Sequence, residues 1–293
     1  MPDHNKKNPI SPVAIWKKAF DVILSYPKVF VPFIILGLVE TLALFFLAAS
    51  PHYPVNLLMA EPIRRIKGEI FLHYPYIYEI LPSMFYYAKM ALGVVIGSVT
   101  TASAVVMVSM AAKKETIKVK HVLRIVFKNY LSLILLSALL FVVAHFVLKQ
   151  PTNGLLRYFR AHENLLFLGP KQWLYVILPI VNFILAVVLQ GFFVFAFPYI
   201  VLRKKKFLAA LLLGIRLFFK TFLKTFTVIA VPMLLYVPVT MLRGSTVILA
   251  QKFAPEVIVG ILGIGILVGT VIVDAMVTVA ATVLFIEKTS HEE

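Results

Sequence analysis

The chain has 293 residues, of which 61% are hydrophobic and 14% charged, and its 29 Lys and Arg against 13 Asp and Glu give a formal charge of +16. So large an apolar share cannot be hidden in a water-soluble core of this size, which excludes a purely aqueous fold and makes hydrocarbon the solvent for much of the chain. The cationic excess then reads as helix stops and contacts with anionic headgroups, not as a nucleic-acid surface, and the absence of cysteine excludes disulfides, thiolate metal sites and cysteine nucleophiles.

Residues 1–10 read as a polar tail without the pattern of a signal peptide. Ser11-Pro12 opens a helix, the proline falling where its missing N–H is harmless. As far as Tyr26, Val13, Trp16, Phe20 and Ile23 keep helical spacing opposite Lys17, Lys18, Asp21 and Ser25. That pattern predicts a helix lying in the membrane interface, with Trp16 at headgroup depth. Pro27 ends it, and a first span follows at about 29–49, carrying Glu40. The external connection to Pro82 is rich in tyrosine, which predicts a segment against the outer leaflet, partly helical from Ile63 to Tyr74. The second span, about 83–112, is rich in small residues; Gly93 and Gly97 form a GxxxG pair suited to close packing within the chain.

Lys113–Asn129 is again basic and amphipathic, with Val119, Val122, Leu123 and Val126 on one face and Lys120, His121, Arg124 and Lys128 on the other. A third span is predicted at about 130–148, then an external segment with turn signals at Pro151–Gly154 and Gly169-Pro170. Leu174–Leu202 has no charge over far more than the roughly 20 residues that cross a bilayer, and Arg203-Lys204-Lys205-Lys206 stops it. A further amphipathic stretch covers 207–224, and a fifth span 225–242 has Pro232 and Pro238 as kink sites. After a short outer turn around Arg243–Pro255, the sixth span, about 256–286, holds Gly265 and Gly269 at packing spacing and then Asp274. Residues 289–293 form a polar tail.

With this threading, nineteen Lys and Arg fall on one side and ten on the other, which puts both termini in the cytoplasm. The order of interfacial helix, span, external connection and returning span occurs three times, at about 11–112, 113–202 and 203–288, within one domain spanning 11–288. The expected fold is all-α: a polytopic membrane protein with six transmembrane helices and three amphipathic helices at the cytoplasmic face, in a pseudo-threefold bundle. The stretches Trp16–Pro27, Phe193–Leu202 with the basic break behind it, and Ala209–Phe222 resemble the six-span membrane domain that precedes the catalytic domain in some bacterial glycerophosphodiester phosphodiesterases, and related stand-alone inner-membrane proteins. The resemblance implies this fold and a bacterial inner (plasma) membrane. It implies no chemistry, because the phosphodiesterase domain has no counterpart here. Gly214 stands near where members of that family often carry serine.

Glu40 and Asp274 each lie about 17 Å from the cytoplasmic end of their spans, near the midplane. An intramembrane carboxyl needs a partner, water or a proton. The pair reads either as a proton- or cation-responsive lining of a cavity or as hydrogen-bonded carboxyls that hold helices together. His145, Asn182 and Gln190 are expected to form interhelical hydrogen bonds. Lys89 can snorkel to the outer surface, and pairing with Glu40 is the alternative, which requires a long reach. Pro179, Pro198, Pro232 and Pro238 mark candidate helix breaks of the kind transporters use. His52, His73 and His162 are external, and Arg64, Arg65, Lys67, Arg157 and Arg160 are candidate contacts for lipid phosphates. No hydrolase, metalloprotease or nucleotide-binding motif occurs, and no cofactor or metal is implied. Two functions follow as expectations. The first is a non-enzymatic protein acting through membrane lipids and other membrane proteins, as scaffold, assembly factor or lipid-handling component. The second is a small-solute or proton-coupled transporter. A polar cavity reaching both acids favours transport; a dry interior with a lateral groove favours the first.

Overall fold

A computed structural model describes residues 11–161 and 170–289, with little beyond the backbone between 149 and 178. The expected tails at 1–10 and 290–293, His4, His162, His291, Gly169 and the side chain of Arg160 lie outside the described residues. All the regular structure described is helical. Five helices are long and apolar enough to cross a membrane, and a bent pair makes a sixth if it is one span. This is consistent with an integral membrane protein.

Helix α1 (Pro12–Ser25) starts where Ser11 caps it, its Oγ accepting from the Ala14 N–H at 3.2 Å. Tyr26 and a 3-10 turn at Pro27–Phe30 then redirect the chain into α2 (Val31–Ala48). Outside the span lie α3 (Asn56–Ile66) and a 3-10 turn at Glu69–Leu72, so the external helix comes earlier than the sequence predicts. Arg64 and Arg65 in that helix pair with Glu61, and Arg64 also with Glu69. The second span begins at Ile77, before the expected 83. It comprises α4 (Ile77–Leu92), a π-helical turn at Gly93–Gly97 and α5 (Ser98–Ala112).

Helix α6 (Val119–Lys128) leads into α7 (Tyr130–Ala161), which continues through Pro151–Gly154, so the turn predicted there is helix instead. Helix α8 (Pro170–Val194) breaks at Phe195 before α9 (Ala196–Val201), close to the expected Pro198. Then come α10 (Phe207–Lys220), α11 (Phe222–Leu234) and α12 (Val237–Gly244). The last two meet at a 50° bend between Pro232 and Pro238. The expected outer turn contains α13 (Thr246–Lys252). The last span joins α14 (Val257–Ile266), a second π-helical turn at Leu267–Val273 and α15 (Asp274–Thr289).

The three short helices share a register. Each is buried at its fourth and eighth residues: Ile15 and Ala19, Val122 and Val126, Ala210 and Gly214. Positions four apart lie on one face, so each helix presents one narrow buried seam. The apolar face predicted for α1 is not that seam: Val13 and Phe20 point away from the bundle, as do Val119 and Phe127 in α6 and Leu208 and Leu212 in α10. Each short helix packs on a returning span, α6 on α5, α10 on α8 and α9, and α1 on α15, so the last unit closes onto the first. Lys18 of α1 is ion-paired with Glu287 of α15, and Arg203 donates to the Thr289 carbonyl at 3.1 Å. The start and end of the described chain and the basic break therefore lie at one end of the bundle.

The inner spans α5 and α15 carry near-continuous runs of buried Ala, Val, Ser and Thr. Small side chains let backbones approach, which is how helices associate where no hydrophobic force separates them from lipid. Gly214 shows the closest such approach: a Cβ there would stand 3.1 Å from the Ala196 amide nitrogen. Leu42 and Phe45 of α2 and Leu131 of α7 face outward, which hydrocarbon tolerates and water would not.

Candidate functional site: a charged cavity between the spans

Glu40 is 1% exposed, in the middle of α2. Its Oε2 accepts a hydrogen bond from Thr270 Oγ1 at 2.7 Å and lies 3.3 Å from Lys89 Nζ. Lys89 also donates to Thr270 Oγ1 at 2.9 Å. Three spans are thus tied by a closed triad of acid, base and hydroxyl. Lys89 turns inward to Glu40, the second of the two directions the sequence allows. Lys89 stands in the last turn of α4, well inside the span that begins at Ile77, so its side chain meets Glu40 directly, and pairing with a buried carboxylate offsets the cost of leaving water.

The triad borders a cavity of about 350 Å³ that is lined by both Glu40 and Asp274. Gln190, Ser137, Thr101 and Thr278 supply neutral polar walls, and Leu36, Phe141 and Phe193 apolar ones. Arg243 and Tyr236 close the side formed by the bent α11–α12 pair. Both π-helical turns border the site. Gly93 and Gly97 line it from the first, and the second carries Thr270 and ends at Asp274. π-Turns inside longer helices often accompany functional sites, because the extra residue re-aims the side chains around it.

The predicted glycines serve packing within the chain. A Cβ at Gly93 would stand 2.6 Å from the Phe141 ring, and one at Gly97 would stand 3.7 Å from Leu36. Gly265 lies under the Arg243 guanidinium, and a Cβ at Gly269 would approach the Tyr236 ring at 3.0 Å. His145 is outside the cavity. Its Nδ1 is 3.5 Å from the hydroxyl of Tyr86, a cavity-wall residue. His145 instead lines a second, apolar groove of about 370 Å³ with Tyr87, Val142 and Phe146, which shares Met90 and Phe141 with the cavity wall. Asn182 is not brought to either site, and its buried Oδ1 has no hydrogen-bond partner. Among the described residues no three His, Asp or Glu converge as a metal site.

Sequence reasoning missed Thr270 and Arg243. Thr270 looks like any small polar residue in a span, and Arg243 looks like a loop cation. The available signal was their spacing: Thr270 stands one turn before Asp274, and Gly265 and Gly269 leave room for large partners. No family model, characterised protein or solved structure matches this chain.

Proposed function

We propose that this protein is a membrane transporter that takes a small polar solute at the bilayer midplane, between Glu40 and Asp274. The observation that carries the reading is the cavity that reaches both acids, with Lys89 and Thr270 already holding one of them. Charged groups are kept inside a membrane where they line a pathway for ions, protons or solutes, and a cavity near 350 Å³ is of the size that small-molecule sites use. The bent α11–α12 pair, the Gly93–Gly97 π-turn at the cavity wall and the second π-turn, whose Thr270 holds Glu40, are discontinuities of the kind transporters place around a midplane site.

The reading includes six crossings, counting the bent pair as one, with both termini in the cytoplasm of a bacterial cell and the three short helices in the cytoplasmic interface. The side-to-side bias of Lys and Arg supports that threading. So do the exposed apolar and basic residues of α1, α6 and α10. The resemblance to the six-span domain of the phosphodiesterases is kept as a proposal of shared architecture alone. A second reading, lipid handling without solute transport, is favoured by the lateral groove at Tyr87, Val142 and Phe146.

The test uses purified protein in liposomes on a solid-supported membrane, challenged with panels of small carboxylates, phosphate monoesters, amines and sugars. The expected result is solute-evoked charge movement absent from protein-free liposomes and abolished in Glu40→Gln and Asp274→Asn. Charge movement unchanged in both variants, or none with any panel member, would sink the transport reading.

A further inference from the structure

We propose that Arg243 is the ligand-recognition residue of the cavity and that it selects an anionic group, a carboxylate or a phosphate. The inference rests on the transport reading only for the location of the site.

The cavity's charges are not equivalent. Lys89 is neutralised by Glu40 and spends a donor on Thr270. Arg243 has no such partner. Its Nε and Nη2 are buried without a hydrogen bond, and among the described residues no carboxylate lies within ion-pair distance. A guanidinium does not shed its proton, so it cannot escape the cost of burial by becoming neutral. Arg243 is partly buried on the cavity wall, and no ion pair among the described residues offsets the water its guanidinium has lost.

The seat around it is nonetheless shaped. The guanidinium lies over the Tyr236 ring, 5.6 Å from its centroid. Gly265 makes room beneath it: a methyl there would stand 3.0 Å from Cζ and 3.1 Å from Nε. Gly269 makes room for Tyr236 in the same way, one turn along. The chain therefore seats a guanidinium at the cavity wall, its Nε and Nη2 packed over Gly265, with no acid within ion-pair distance among the described residues. Carboxylate and phosphate oxygens bind a guanidinium through charge-assisted hydrogen bonds.

Asp274, on the same cavity, also has no cation within ion-pair distance among the described residues. It follows Gly265 by nine residues, about 13 Å along the helix axis. Asp274 and Arg243 both line the cavity without pairing with one another, which leaves the Arg243 end open to an anion. Free anions and the headgroups of anionic lipids share this chemistry.

The experiment measures thermal stability of the full-length protein in detergent with three probes of similar size: phenyl phosphate, benzyl alcohol and phenyltrimethylammonium. Native mass spectrometry of protein taken from membranes containing phosphatidylglycerol forms a lipid arm. The expected result is stabilisation by phenyl phosphate alone, or retention of phosphatidylglycerol, weakened at least tenfold in Arg243→Met and partly kept in Arg243→Lys. Ligand-free Arg243→Met should melt no lower than wild type, which a merely structural arginine would not allow. Phenyl phosphate competing with bound lipid assigns one site to both; stabilisation without lipid retention assigns a free anion. Equal response to all three probes, an Arg243-independent response, or no anion bound in either arm overturns the proposal. If amines drive charge movement through Glu40 and Asp274 while Arg243→Met changes nothing, the anion inference fails and the transport reading survives.

Discussion

Lys89 and Glu40 show what one residue's direction decides. With the pair formed, a carboxylate that is 1% exposed is held by a cation and a hydroxyl. Without Lys89 the same carboxylate is buried with one neutral donor, and breaking a buried pair this way costs about 3–5 kcal/mol. Lys89→Met should therefore lower the melting temperature clearly, while the double variant Glu40→Gln with Lys89→Met should recover most of the loss, because no charge is then left alone. Thermal unfolding of the four proteins in one detergent measures the coupling; additive losses would show that the pair is not formed. The acids themselves were legible in the sequence, because a carboxyl inside an apolar run is conspicuous. The bases were not. A lysine near a span's end fits an outward or an inward rotamer equally well by sequence, and only the position of Glu40 on a neighbouring helix decides. Arg243 was read as a loop residue because cations next to spans are also topology signals.

At the level of elements, the breaks matter more than the spans. Hydrophobic runs, prolines and basic stops made the long helices readable almost to the residue at Tyr130 and near Leu202. The π-turns were not readable, since a wider turn inside a long apolar run leaves no mark in hydrophobic spacing. Glycine gives each a close neighbour: Gly93 leaves room for the Phe141 ring, and a Cβ at Gly37 would stand 2.7 Å from Val271. The shared register of the short helices was also hidden. In α6 the buried Val122 and Val126 belong to the apolar face read from the sequence, but in α1 and α10 the seam runs through modest residues such as Ala19, Ala210 and Gly214, while Val13, Phe20, Leu208 and Leu212 face outward. Gly214 gives the sharpest prediction here. A leucine there would meet backbone atoms of Phe195 and Ala196, which cannot swing aside. Gly214→Leu should separate α10 from the α8–α9 break and reduce the yield of monodisperse protein several-fold. Gly260→Leu, with nothing within 4 Å of its Cβ, should leave the yield unchanged. Size-exclusion profiles of the two variants make the comparison; equal profiles would remove the close approach.

For the whole molecule, the short helices cover seams that the long ones alone would leave open: α6 packs on α5, α10 on α8 and α9, and α1 on α15, which brings the two ends of the described chain together. The interior so formed is tightly packed near the end that carries Lys18, Arg203 and Glu287, and hollow further in, where the acids, Lys89 and Arg243 gather. Composition and spacing carried the all-helical membrane architecture, because lipid imposes those patterns strongly. They could not carry the hollow, which depends on how spans far apart in sequence rotate against each other. Its decisive property is access to water. The chain has no cysteine, so a single introduced thiol reports on one place. Thiol reagents react with the thiolate, which forms where water reaches. Reaction of a small water-soluble methanethiosulfonate in native membranes should therefore label Thr101→Cys on the cavity wall, and spare Leu42→Cys on the outer face and Ala102→Cys in the packed interior. A thiol at 101 as inert as one at 102 would mean a dry bundle, and would contradict the account.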